Sequence, residues 1–268
     1  MIFDLPIIGE AGRPGGPSAA SKTLIPFHNN EMLIMSIAEA NLELPSNFTG
    51  VVKLFPLPNL VLFPGVIQPL HIFEQRYRKM IQDAINSDQI IAMACVKDAD
   101  AAADQENPEI HQTICVGKIV THAELPDGRF NLLLLGAKRA KVIRELPSNL
   151  PYRLADVKLL QPTQSEASET YDGPIRRKAI SLFQQLLEVD KQLDNESVSQ
   201  LLNDELPFGL LLDLLTFSSG ATLKDQQKVL ETTDVLGRAN IVIEILQSRL
   251  ANKQQEQSKR FPPRFSYN

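Results

Sequence analysis

The sequence predicts an α+β protein, with an N-terminal β-barrel carrying one amphipathic helix, followed by a C-terminal α-helical bundle. Three observations carry that expectation. Between Val51 and Leu160, short apolar segments of strand length recur at regular spacing, the pattern of a closed or nearly closed barrel. From Pro174 onward the apolar period lengthens to three or four, placing Ile175, Ala179, Phe183, Leu186, Leu187 and Leu193 on one helical face. Between Leu54 and Ile81 an apolar run is cut by Pro56, Pro58, Pro64, Gly65 and Pro69, so it can be neither one helix nor one central strand. These shifts divide the chain into a leader at 1–47, a barrel at 48–162, a linker at 163–173, a bundle at 174–252 and a tail at 253–268.

The leader clusters Gly12, Pro14, Gly15, Gly16, Pro17, Ser18 and Ser21 and sustains no hydrophobic period, so disorder is expected there. Its one apolar stretch is interrupted by Asp4 and Pro6, unlike a secretory signal. In the barrel, strands are expected at Val51–Phe55, Leu60–Leu62, Val66–Leu70, Gln89–Val96, Ile114–Leu125, Phe130–Leu135, Ala140–Leu146 and Tyr152–Leu160. A helix over 74–86 interrupts them, with Phe73, Tyr77, Met80, Ile81 and Ala84 at helical spacing. Pro64-Gly65 is the sharpest corner, and Leu125-Pro126-Asp127-Gly128-Arg129-Phe130 is a hairpin signature whose Asp-Gly supplies positive φ. The polar stretch 97–109 reads as a surface loop. Further helices are expected at 196–203, 207–218, 223–231 and 235–252, with Pro207 in a first turn, Thr222 capping with Asp225, and Asp234 preceding Val235. The tail carries a local charge of +3 and is expected to be disordered.

Composition narrows the function. A net charge of -5 and a pI near 5.5 give no whole-chain attraction to phosphate backbones or anionic membranes, so nucleic acid is not favoured as a partner. The apolar runs, such as Phe208–Leu215 broken by Asp213, are too short to span a bilayer, which takes about 20 residues. Cys95 and Cys115 lie in apolar strands and read as small buried thiols, fitting a reducing cytoplasm and offering too few ligands for structural zinc. No cofactor is implied.

Several motifs fail on context. Gly16 to Thr23 resembles a phosphate-binding loop, but Ser21 replaces the second glycine and Pro26 spoils the helix that must follow. His71 and Glu74 are too few to make a metal or acid/base site. The plainer reading has His71 bonding backbone at a strand-to-helix corner and Glu74 capping or pairing with Arg78. Arg76 and Arg78 read as solvated or structural. Leucines over Leu206–Phe217 could form a partner groove, although such spacing normally means core. A barrel joined to a bundle is expected to leave a crevice, where binding is common.

Phe55-Pro56-Leu57, Val61-Leu62-Phe63-Pro64-Gly65, Pro69-Leu70-His71-Ile72-Phe73-Glu74 and Arg76-Tyr77-Arg78 resemble the N-terminal substrate-recognition domain of Lon proteases, which also occurs alone and in cereblon-like and RING-finger proteins. The His-Ile-Phe-Glu run looks more like the stand-alone version than the protease version, and no RING-type array of cysteines and histidines is present. Leu210–Leu215 with Thr222–Leu230 looks like the signature of the family's helical bundle, so the resemblance covers about 50–250. It implies a PUA-like barrel and a non-catalytic protein that binds unfolded or damaged polypeptides and delivers them to a separate ATP-dependent protease. Capture would bury apolar side chains, with exposed strand edges adding backbone pairing. The candidate polypeptide contacts are Phe63, Pro64, Phe73 and Tyr77.

The resemblance also suggests what to weigh against it. Gly16-Pro17-Ser18-Ala19, with Lys22 nearby, echoes the catalytic serine of Lon peptidases, but a Ser-Lys dyad needs a rigid, desolvated setting that this leader does not promise. The chain stops where a Lon ATPase module would begin, so no enzyme is expected. The alternatives are an RNA- or small-ligand-binding PUA-like module, disfavoured for RNA by the acidic balance, and a peptidase.

Overall fold

The computed structural model describes residues 42–98, 107–163, 168–190 and 206–260. The leader motifs around Gly16 to Thr23, most of the acidic loop, the expected helix at 196–203 and residues 261–268 lie outside the described residues. Six strands are present: β1 (Val51–Leu57), β2 (Ile67–Ile72), β3 (Ile90–Cys95), β4 (Thr113–Glu124), β5 (Phe130–Leu146) and β6 (Arg153–Leu159). Helix α1 (Gln75–Ile85) precedes β3, and after the strands come α2 (Ser168–Val189), α3 (Phe208–Ser218), α4 (Leu223–Glu231) and α5 (Val235–Arg260).

The sheet order is β2-β5-β4-β3-β1-β6, and β6 also pairs with β5, which closes a ring through β5, β4, β3, β1 and β6. β1 and β3 are parallel; the other pairs are antiparallel. Closure depends on the length of β5. Its first half pairs with β2 and its second half with β6, so the expected strands 130–135 and 140–146 are two halves of one 17-residue strand. Irregularities at Val116/Gly117, Ile119/Thr121 and Val142/Arg144 bend the pairing, as bulges do where a sheet must curl.

The Pro64-Gly65 corner is a type II turn joined to a bulge. Val66 N–H donates to Phe63 O (3.1 Å), and Gly65, at φ 80°, donates to Gly136 O (2.8 Å), while Gly136 N–H donates back to Val66 O (2.8 Å). Gly136 allows this approach, since a Cβ there would lie 2.0 Å from Phe63 O. The segment Leu60–Leu62 forms no strand; Val61 and Leu62 instead bury their side chains as the chain runs into the turn.

Alternation along the strands creates two cores. Inside the ring lie mostly small and β-branched side chains, among them Val52, Ala92, Ala94, Val116 and Ala155, together with Leu54, and Leu44 and Phe48 pack against them. The expected leader therefore ends earlier than 47, because Leu44 covers barrel interior and Glu43 pairs with Lys138 at 2.7 Å. The second core is one continuous cluster that takes in the outer wall of the barrel, α1 and the helical bundle. Leu210 of α3 presses on the Pro64-Gly65 turn, with its Cδ1 2.3 Å from where a Gly65 Cβ would sit. Among the described residues, side chains pack across the boundary between barrel and bundle, where a crevice was expected. Linker residue Thr163 adds a parallel bridge to Asp234.

Two helices, α4 and α5, begin as their caps require. Thr222 Oγ1 accepts from Asp225 N–H (3.2 Å) and donates to Asp225 Oδ2 (2.8 Å), and Asp234 Oδ2 accepts from Gly237 N–H (2.6 Å). Pro207 is the N-cap of α3 and not a first-turn residue, and two further boundaries differ from expectation. α2 starts at Ser168 and holds Pro174 inside it, and α5 continues to Arg260, so the first half of the expected tail is helical. Asp190, just past α2, accounts for part of that extension by accepting from Lys253 at 3.1 Å.

Candidate functional site

The four candidate contacts separate by burial. Phe63 is 0% exposed and Tyr77 6% exposed; both are core, Tyr77 meeting Phe55 edge to face at 4.6 Å. Neither offers surface to a partner in this conformation, because the signature run folds its large side chains beneath the turn and beneath α1. Pro64 is half-buried at the tip of the turn, and Phe73 is 61% exposed at the corner between β2 and α1.

A polar network fixes the surroundings of Phe73. His71 pairs across the sheet with Asn131, and its Nδ1 lies 2.6 Å from Asn131 Oδ1. Its Nε2 lies 3.2 Å from Arg129 Nη1, which can only donate; Nε2 is therefore the acceptor and Nδ1 carries the proton. Arg129 is anchored in turn by Asp127 Oδ2 at 2.6 Å. That carboxyl is held below its usual range, first by the Arg129 backbone N–H it accepts. His71 thus bonds side chains rather than backbone, and its ring lies 6.3 Å from that of Phe73, nearly parallel. Glu74 pairs with Arg76 at 3.0 Å instead of Arg78. Arg78 lies over the hairpin turn, its Nη2 2.0 Å from where a Gly128 Cβ would sit.

The neighbouring edge of β2 is the free edge of the sheet among the described residues. With Val66 bonded to Gly136 and one-to-one register from Ile67/Leu135 to Ile72/Phe130, the backbone groups of Ile67, Pro69 and His71 point away from β5. Pro69 has no N–H to offer, and its carbonyl already accepts from Gln68 Nε2 at 3.0 Å. Backbone pairing along this edge is correspondingly limited.

Two shallow depressions, about 460 and 340 Å³, lie beside the β5–β6 connection and share Asn107, Glu145 and Arg153. Arg153 divides them, bonding Glu145 and donating to Pro108 O at 2.9 Å. Ile143 and Leu150, both exposed, line their walls. Nearby, Tyr152 OH donates to Asp83 Oδ2 (2.8 Å), and Lys79 holds the Asp83 carboxyl low.

The charges that sequence reasoning missed are buried. Asp213, met there as a break in an apolar run, accepts two hydrogen bonds from Arg139 of β5 (2.6 and 2.7 Å) and one from Arg238 of α5 (3.1 Å). Arg139 also donates to Leu230 O, and Arg238 to Thr232 O and Gly209 O. Burial works to lower the pKa of both guanidiniums; Asp213 reverses that for Arg139, whereas Arg238 stays below its ordinary value. The cluster ties barrel to bundle. Cys115 and Cys95 are free and buried, and burial pushes the Cys115 thiol up to about 12. Among the described residues no group of three or more His, Cys, Asp or Glu could hold a metal ion, and no helix is long and apolar enough to cross a membrane.

The family model for the ATP-dependent protease La (LON) substrate-binding domain matches residues 51–248, taking in barrel and bundle alike. The chain is 27% identical over 228 residues to a Lon protease of Dictyoglomus thermophilum, covering 82% of this chain and 28% of that protein. It is 31% identical over 197 residues to a Lon protease of Heliobacterium modesticaldum, covering 72% of this chain and 23% of the relative. It therefore spans about a quarter of the length of these relatives. The fold is similar to the N-terminal domain of a Mycobacterium avium complex Lon protease, with a TM-score of 0.56 at 16% identity, covering 74% of this chain and 98% of that one.

Proposed function

The chain belongs to the LON substrate-binding domain family, and from that premise we propose that it is a non-catalytic polypeptide-recognition protein. It captures apolar segments of unfolded or damaged proteins and passes them to a separate ATP-dependent protease. The match across residues 51–248 carries this reading, because it takes in the barrel and the helices packed on it as one unit. Exposed Phe73 supplies the apolar contact, with half-buried Pro64 on the same signature run. Fully burying a side chain of this kind contributes about 1.5–3 kcal/mol. Two free, buried thiols fit a reducing compartment and support a cytoplasmic setting.

The test is direct binding. The purified full chain is titrated into a panel of fluorescently labelled unfolded polypeptides, with their folded counterparts as controls. Saturable binding to the unfolded forms alone is expected, and no saturable binding to any of them removes the reading. Delivery is tested separately, by adding the chain to an ATP-dependent protease with an unfolded client and measuring whether the client is degraded faster.

A further inference from the structure

The residues around Phe73 carry more information than an apolar contact needs. Phe73 is an exposed aromatic standing beside His71, whose ring is immobilised on one side by Asn131 and on the other by Arg129. The cations nearby differ in how they are engaged. Arg129 is neutralised by Asp127, Arg76 by Glu74 and Lys79 by Asp83. The Arg78 side chain makes no hydrogen bond or ion pair among the described residues, yet it is partly buried and its guanidinium is set against Gly128 in the turn that also places Arg129. A guanidinium offers five donors in a planar fork that matches a carboxylate, and here the turn positions that fork without occupying it.

Resting on the polypeptide-recognition reading above, we infer that this corner selects segments in which an apolar side chain is accompanied by a nearby acidic one, the apolar group packing on Phe73 and the carboxylate pairing with Arg78. Charge complementarity argues for this occupant. A segment carrying Lys or Arg at the same place would meet an uncompensated positive charge, which makes the site a filter as well as a grip. The polar network holds His71 in place beside Phe73, so less ordering is required when a flexible segment arrives.

The experiment uses the full chain and three unfolded peptides with blocked termini, alike except that one position near a central Phe is Glu, Gln or Lys. Affinities are read by fluorescence anisotropy at low and high salt. The Glu peptide is expected to bind about threefold more tightly than the Gln peptide at low salt, a partly exposed ion pair contributing no more than that, with the Lys peptide weakest. Arg78→Gln should erase that order, and Arg78→Lys should keep it in part. Phe73→Ser should weaken all three, by about tenfold. Equal binding of the three peptides, or an acidic preference that survives Arg78→Gln, overturns this inference but leaves polypeptide recognition standing. Failure of all three, together with the unfolded polypeptides of the wider panel, ends both. A fourth peptide with the neutral residue and a free C-terminus separates side-chain from terminal carboxylates; binding it as tightly as the Glu peptide would refute the choice of an acidic side chain.

Discussion

Replacing Asp213 by alanine should damage this protein more than its distance from any surface suggests. Asp213 is 1% exposed and is the carboxylate on which Arg139 and Arg238 both converge. At separations of about 4 Å between charge centres and an effective dielectric of about 20, each attraction is worth about 4 kcal/mol, offset by repulsion between the two guanidiniums. Removing the anion leaves both cations buried with only backbone carbonyls for partners, a situation that costs about 3–5 kcal/mol. That is a large part of the 5–15 kcal/mol by which domains are usually stable. Arg139→Met should cost less than Asp213→Ala, because Asp213 then keeps Arg238. Urea unfolding followed by far-UV circular dichroism suits the measurement, since the chain has no tryptophan. The reasoning is refuted if Asp213→Ala lies within about 1 kcal/mol of the wild type, or if Arg139→Met proves the costlier change.

Gly136→Ala should cost about 3 kcal/mol in the same urea series, because its Cβ would sit 2.0 Å from Phe63 O and backbone would have to move; a neutral result would mean the turn docks elsewhere. With its thiol pushed up to about 12 and fully buried, Cys115 should resist a thiol reagent at pH 8 in the native protein, while urea exposes both cysteines, as counted by absorbance of the released chromophore. Hydrogen bonding from Lys79 lowers the folded-state pKa of Asp83, so its carboxylate stabilises the fold above the unfolded value near 4 and that contribution is lost as pH falls through the folded value. Asp83→Asn should therefore be less stable than the wild type at neutral pH, with the gap closing under acid conditions in parallel thermal melts.

What the sequence revealed of this fold was its punctuation. Pro64-Gly65, Asp127-Gly128, Thr222 and Asp234 act within three or four residues of themselves, and each forms the turn or cap its chemistry calls for. The misreadings arise where a distant neighbour decides. Gly136 and Arg139 interrupt the apolar pattern and split β5 on paper, yet Gly136 is there to receive the Phe63 carbonyl and Arg139 to meet Asp213. Phe63 and Tyr77 look like binding residues because they belong to a memorable string, but that string mainly describes how a turn and a helix seal the barrel wall. Phe73 alone among the aromatics in it escapes. Its neighbour His71 is held by Asn131 and Arg129, which come from a hairpin some sixty residues later, where no local signal links them to His71.

Under the proposed function, the blunted edge of β2 bears on how a client would be held. Unfolded chains readily lengthen an exposed sheet, and a protein that meets them repeatedly would risk seeding aggregates on itself. Here Pro69 leaves a gap in the row of outward donors and Gln68 occupies the carbonyl beside it, so a docked chain finds no continuous ladder. Retention then falls to side chains, whose contacts form and break individually. Under the proposed function a hold of that kind would be short-lived, which would leave a client free to be passed on.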